Sequence, residues 1–97
     1  MVYIIYYYTI WYKSSNFILI GIKYKYMEKI MNKFAERLKE LRIEKGLSQN
    51  QLAKAVGIAQ ASIARWEANL QTPNIDIAIL FAKYFGVSAD YLLGLED

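Results

Sequence analysis

Gln49, Gln60, Ser62 and Arg65 are hydrogen-bonding side chains gathered within seventeen residues, in a setting that points to recognition rather than bond making. They sit in Leu47-Ser48-Gln49-Asn50-Gln51-Leu52-Ala53, which leads through Val56-Gly57-Ile58 to Ile63-Ala64-Arg65-Trp66-Glu67. Ser48 is placed to cap one short helix and Gly57 to break it. A second short helix follows, and its start carries small or polar side chains. Helix, tight turn and helix is the arrangement in which the second helix enters the major groove of DNA.

Other chemistries are excluded by what is missing. The 97 residues contain no cysteine and no histidine, which removes disulfides, thiolate nucleophiles, imidazole bases and ordinary zinc or iron sites. The carboxylates are scattered and form no dyad, and none of the five serines has a histidine to activate it. No enzyme activity, cofactor or metal is expected. A formal charge of +3 would suit a nucleic-acid partner, but its distribution does not. Residues 1–26 hold Lys13, Lys23 and Lys25 and no acid, whereas residues 27–97 hold nine basic and nine acidic side chains. The excess lies wholly outside the helix-turn-helix, so net charge is no argument for DNA binding.

The elements around this unit fall into two unlike parts. Residues 1–26 contain seven of the nine tyrosines and many β-branched residues, all strand formers. Val2–Tyr12 and Phe17–Tyr26 flank the polar tetrapeptide Lys13-Ser14-Ser15-Asn16, and Ile22-Lys23-Tyr24-Lys25-Tyr26 alternates with a period of two. This pattern predicts a β-hairpin arm. Three roles compete for it: a span of the membrane, an arm that pairs with a partner chain, and a segment dispensable to a domain starting at Met27 or Met31. The span is disfavoured, because the apolar runs fall short of the roughly 20 residues needed.

From Met27 the period becomes helical. Met27, Ile30, Met31, Phe34, Leu38 and Leu41 share one face, and Gly46 ends the helix. Ser48 with Gln51 forms a capping box, and Leu47 with Leu52 a hydrophobic staple. Ala59 is a poor cap for the third helix. Asn69 suits a left-handed position after it, Asn74 caps a fourth helix, Gly86 closes that one, and Ser88 caps a fifth. Within the fourth, Ile75, Ala78, Ile79, Ala82 and Phe85 make the expected inward stripe. Ile77, Leu80, Phe81 and Tyr84 make a second stripe. An exposed apolar stripe marks a partner surface, so Ile77, Leu80 and Tyr84, with the arm, are expected to receive a second copy of the chain.

With these residues placed, residues 33–95 resemble the Cro/C1-type (XRE family) helix-turn-helix regulators of phages and bacteria. The landmarks are Leu41-Arg42, Gly46-Leu47-Ser48-Gln49, Leu52-Ala53, Val56-Gly57-Ile58, Ile63 with Arg65-Trp66-Glu67, Pro73, Phe85-Gly86-Val87-Ser88 and Asp90-Tyr91-Leu92-Leu93-Gly94. The resemblance implies that Gln49 bonds a DNA phosphate and braces the recognition helix. It also implies that Gln60, Ala61, Ser62 and Arg65 read bases, with Gln60 suited to adenine, Arg65 to guanine and Ala61 to a thymine methyl. Asn69, in the loop that follows, is expected to contact DNA with them, and Arg42 with Glu67 resembles a structural ion pair. Two positions depart from the family pattern: Glu67-Ala68-Asn69 stands for Glu-Asn-Gly, and Ala59 replaces a Ser, Thr or Asp cap. Trp66, three residues after Ile63, belongs to the core rather than to a stacking platform.

The expectation is therefore an all-α, five-helix lambda-repressor-like domain over residues 27–97, preceded by the strand-prone arm 1–26. Its expected role is sequence-specific transcriptional regulation in the cytoplasm, as a homodimeric repressor on a two-fold symmetric operator. The alternatives are a helix-turn-helix protein-interaction module held at a membrane by residues 1–26, and an antitoxin-type autoregulator.

Overall fold

The computed structural model describes residues 17–96, over which the chain forms five helices. They are α1 (Phe17–Glu44), α2 (Gln49–Val56), α3 (Gln60–Glu67), α4 (Ile75–Phe85) and α5 (Ala89–Leu92). Among the described residues there is no strand, and the expected all-α, five-helix architecture is the one observed.

The arm requires a correction. Phe17–Tyr26, expected as the second strand of a hairpin, is the first part of α1, which runs through Tyr26–Met27 without a break. The period-two alternation covers only five residues. Extending a helix already nucleated by the residues from Met27 onward adds one backbone hydrogen bond per residue with no new nucleation cost. The other proposed strand, Val2–Tyr12, and the turn Lys13–Asn16 lie outside the described residues.

Local signals explain where the remaining helices start and stop. Ser48 Oγ accepts from the Gln51 amide at 3.0 Å, and the Gln51 side chain accepts from the Ser48 amide at 2.8 Å, which closes the capping box at α2. The Asn74 and Ser88 side chains cap α4 and α5 by accepting from the Ile77 and Tyr91 amides, without the return bond. Gly57 leaves α2 at φ 72°, the left-handed region where a Cβ is disfavoured. The turn it makes sets the angle between α2 and α3. Asn69, at φ 61°, is the one non-glycine residue of positive φ among the described residues and does the same after α3. Ala59 gives α3 no side-chain cap, as its methyl dictates.

The core forms where α1, α3 and α4 converge. Phe34, Leu38, Leu52, Ile63, Phe81 and Leu92 are fully buried, one or two from each helix. Three rings make its centre. Trp66 meets Phe34 edge-on at 6.3 Å and Phe81 edge-on at 5.8 Å, and Phe34 lies 6.3 Å from Phe81. These offset geometries are the ones aromatic pairs prefer. Arg37 fastens the end of the domain to α1. Its guanidinium donates to the carbonyls of Tyr91 and Glu96, the latter at 2.7 Å, and lies 4.2 Å from the centre of the Tyr91 ring.

The faces of α4 also differ from expectation. Its buried residues are Ala78, Phe81 and Ala82. Ile77 and Tyr84, expected on a partner surface, pack against the core, and Leu80 is half-buried. Ile75 and Ile79, expected inward, are 63 % and 40 % exposed. With 100° per residue, the arc centred on Phe81, Ala82 and Phe85 lies between the two apolar stripes. Pattern alone offers two overlapping faces, and the bulk of Phe81 against Trp66 and Phe34 selects between them.

Candidate nucleic-acid interface

The α2–α3 unit is held to α1 by a largely buried ion pair. Arg42 Nε donates to Glu67 Oε2 at 2.6 Å and Nη2 to Oε1 at 2.9 Å, while Nη1 donates to the Leu47 carbonyl at 2.7 Å. The two side chains are only 12 % and 4 % exposed. One guanidinium thus joins the end of α1, the turn before α2 and the end of α3. The hydrogen bonds to Glu67 raise the Arg42 pKa further above arginine's ordinary value, against the smaller opposing effect of burial. A folded-state pKa above the unfolded one means that this contribution is lost only as pH rises through that value. Arg42 therefore keeps its charge throughout the neutral range.

From Glu67 the hydrogen bonds continue outward. Gln49 Nε2 donates to Glu67 Oε1 at 3.1 Å, and Gln60 Nε2 donates to Gln49 Oε1 at 2.8 Å. The first residues of α2 and α3 are thereby joined to each other and to the ion pair. Beyond this chain, Gln60, Ala61 and Arg65 are exposed on α3, and Ser62 is half-buried beside them. Ala59 has no side-chain acceptor and its carbonyl accepts from the Ser62 amide at 3.1 Å, so the Gln60 and Ala61 amides are left for water or an anion, with the positive end of the helix dipole behind them.

Five of the six residues singled out in the sequence thus share the α2–α3 unit. Asn69 sits apart in the loop, where its Nδ2 donates to Asn32 Oδ1 on α1. Trp66 is core, at 4 % exposure. Two features escaped sequence reasoning. One is the Glu67–Gln49–Gln60 chain, whose members are separated by eighteen and eleven residues. The other is the Asn32–Asn69 link, 37 residues apart. A helix-turn-helix brings the starts of its two helices together, so the first link was latent in the motif; no local signal announces the second.

Comparison with known proteins decides the family. A helix-turn-helix family model matches residues 38–92, more than half of the chain. The chain belongs to the Cro/C1-type helix-turn-helix family of DNA-binding transcriptional regulators. It is similar to the uncharacterized HTH-type transcriptional regulator YobD of Bacillus subtilis, at 39 % identity over 64 residues, 66 % of this chain and 57 % of that protein. It is also similar to the HTH-type transcriptional activator BcrR of Enterococcus faecalis, at 36 % over 64 residues, 66 % of this chain and 31 % of the relative. The cryptic phage CTXphi transcriptional repressor RstR of Vibrio cholerae matches at 28 % over 54 residues, 56 % of this chain and 49 % of its own length. The chain therefore spans between about a third and somewhat over half of these relatives. The matched residues are those of a DNA-binding helix-turn-helix domain. No helix among the described residues is long and apolar enough to cross a membrane.

Proposed function

We propose that the chain is a sequence-specific repressor that binds duplex DNA as a homodimer, with α3 in the major groove. The observation that carries this reading is the hydrogen-bonded pair Gln49–Gln60 at the starts of α2 and α3, with Ala61 and Arg65 exposed beside it. Gln49 and the uncapped first-turn amides of α3 fix the register on phosphates. Gln60, Ala61, Ser62 and Arg65 meet base edges, and Asn69 holds the following loop at the rim.

Ile75 and Ile79, one turn apart on α4, offer an apolar face to a second copy of the chain. A two-fold dimer sets the two α3 helices about 34 Å apart, one turn of DNA. Repression asks only that such a dimer occupy an operator. In support, one relative carries the name of a repressor. The DNA-binding domain spans residues 27–97, with residues 17–26 as an extension of its first helix.

Arg65 tests the assignment of base contacts. Arg65→Ala is expected to cost about 1–3 kcal/mol of binding and to relax preference at a single base position. Binding to a panel of single-base operator variants measures this. A profile that keeps every preference after the substitution removes Arg65 from base reading.

A further inference from the structure

We propose that Glu67 is a positioning residue that sets the base preference of Gln60 through the polarity of two intervening amides. This rests on Gln60 meeting a base, as argued above, and goes beyond it by assigning the origin of the preference. A carboxylate can only accept hydrogen bonds. Glu67 Oε1 takes one from Arg42 Nη2 at 2.9 Å and one from Gln49 Nε2 at 3.1 Å. Gln49 must therefore turn its NH2 group inward, which leaves its carbonyl oxygen facing Gln60. That oxygen again only accepts, so Gln60 must present its own NH2 group to Gln49, as it does at 2.8 Å.

An amide is ambiguous because its two ends are alike in size and opposite in hydrogen-bonding character. Here the ambiguity is removed at its source, since Glu67 is 4 % exposed and clamped by Arg42. What Gln60 has left is one N–H and its carbonyl oxygen. That donor–acceptor edge complements adenine, whose N7 accepts and whose N6 amino group donates. Reversing the relay exchanges the two ends of Gln60 in space. The donor then falls where adenine also donates, and a base with an acceptor there, guanine through O6, is favoured instead.

The test compares adenine and guanine duplexes at the operator position whose preference disappears in Gln60→Ala, using the full chain. A bidentate amide–adenine contact corresponds to a ratio of about 5- to 150-fold. The double variant Arg42→Met, Glu67→Met leaves no acceptor to hold the Gln49 NH2 group inward, so the ratio is expected to fall to within a few-fold of one. Preference at the position read by Arg65 stays unchanged, which a merely weakened fold would not produce.

Gln49→Met leaves the Arg42–Glu67 pair intact and frees Gln60 to rotate. It is expected to bring the ratio to within a few-fold of one, over a uniform loss of affinity, and it decides the matter if the double variant does not fold. A full adenine preference in Gln49→Met, or in the folded double variant, overturns the relay. An unchanged profile in Gln60→Ala overturns the base contact itself, and the relay with it.

Discussion

Arg42→Met lowers the stability of the domain by about 3–5 kcal/mol, the cost of leaving a buried charge without its partner. Methionine keeps most of the apolar stem, so lost packing is a small part of the effect. What is lost is the set of three donors that satisfies Glu67 and the Leu47 carbonyl. Glu67 is 4 % exposed and cannot recover those bonds from water without opening the junction of α1 and α3. The double substitution Arg42→Met with Glu67→Met removes both charges and is expected to be much less harmful than the single one, because neither desolvated group then remains. Urea titration of the three proteins at neutral pH measures both quantities. A single variant within 1 kcal/mol of the parent would mean that water reaches Glu67 and that the pair is not a structural fastening.

Phe81→Ala is expected to cost about 3–5 kcal/mol, the range for deleting a buried phenylalanine. Phe81 is fully buried and touches the other core rings, with Trp66 at 5.8 Å, Phe34 at 6.3 Å and Phe85 stacked at 6.3 Å. These rings come from α1, α3 and α4, so local collapse cannot fill the gap without moving whole helices. In a domain of this size each kcal/mol corresponds to roughly 4–8 °C of melting temperature, so the transition should fall by at least ~12 °C. Ile79→Ala, two residues earlier on the same helix but 40 % exposed, serves as the comparison and should shift it far less. Similar shifts for the two variants would contradict the assignment of faces on α4.

That assignment marks where the fold stops being legible in the sequence. Ser48, Gly57, Asn69, Asn74, Gly86 and Ser88 each carry a local instruction, a cap or a left-handed turn, and each is found doing what its side chain dictates. Such signals act within a few residues and need no knowledge of the rest of the chain. The inward face of α4 is different. Nine of its eleven residues are apolar, so periodicity cannot choose among arcs, and the choice falls to Phe81 meeting Trp66 and Phe34 from distant helices.

The segment 17–26 failed for a related reason. Tyrosine and isoleucine favour strands as single residues, but propensity yields when the neighbouring helix can simply continue. At the interface, the motif marked Gln49 and Gln60 individually. The hydrogen-bond direction that links them begins at Glu67, which the sequence identifies only as the partner of Arg42.

Selection from a random duplex pool at near-physiological salt, with the full chain, tests DNA reading by α3 most directly. Enrichment of a two-fold symmetric motif with half-sites about one helical turn apart is the predicted result, with adenine and guanine among the specified bases. A pool that emerges without any enriched motif would contradict sequence-specific binding by this helix-turn-helix.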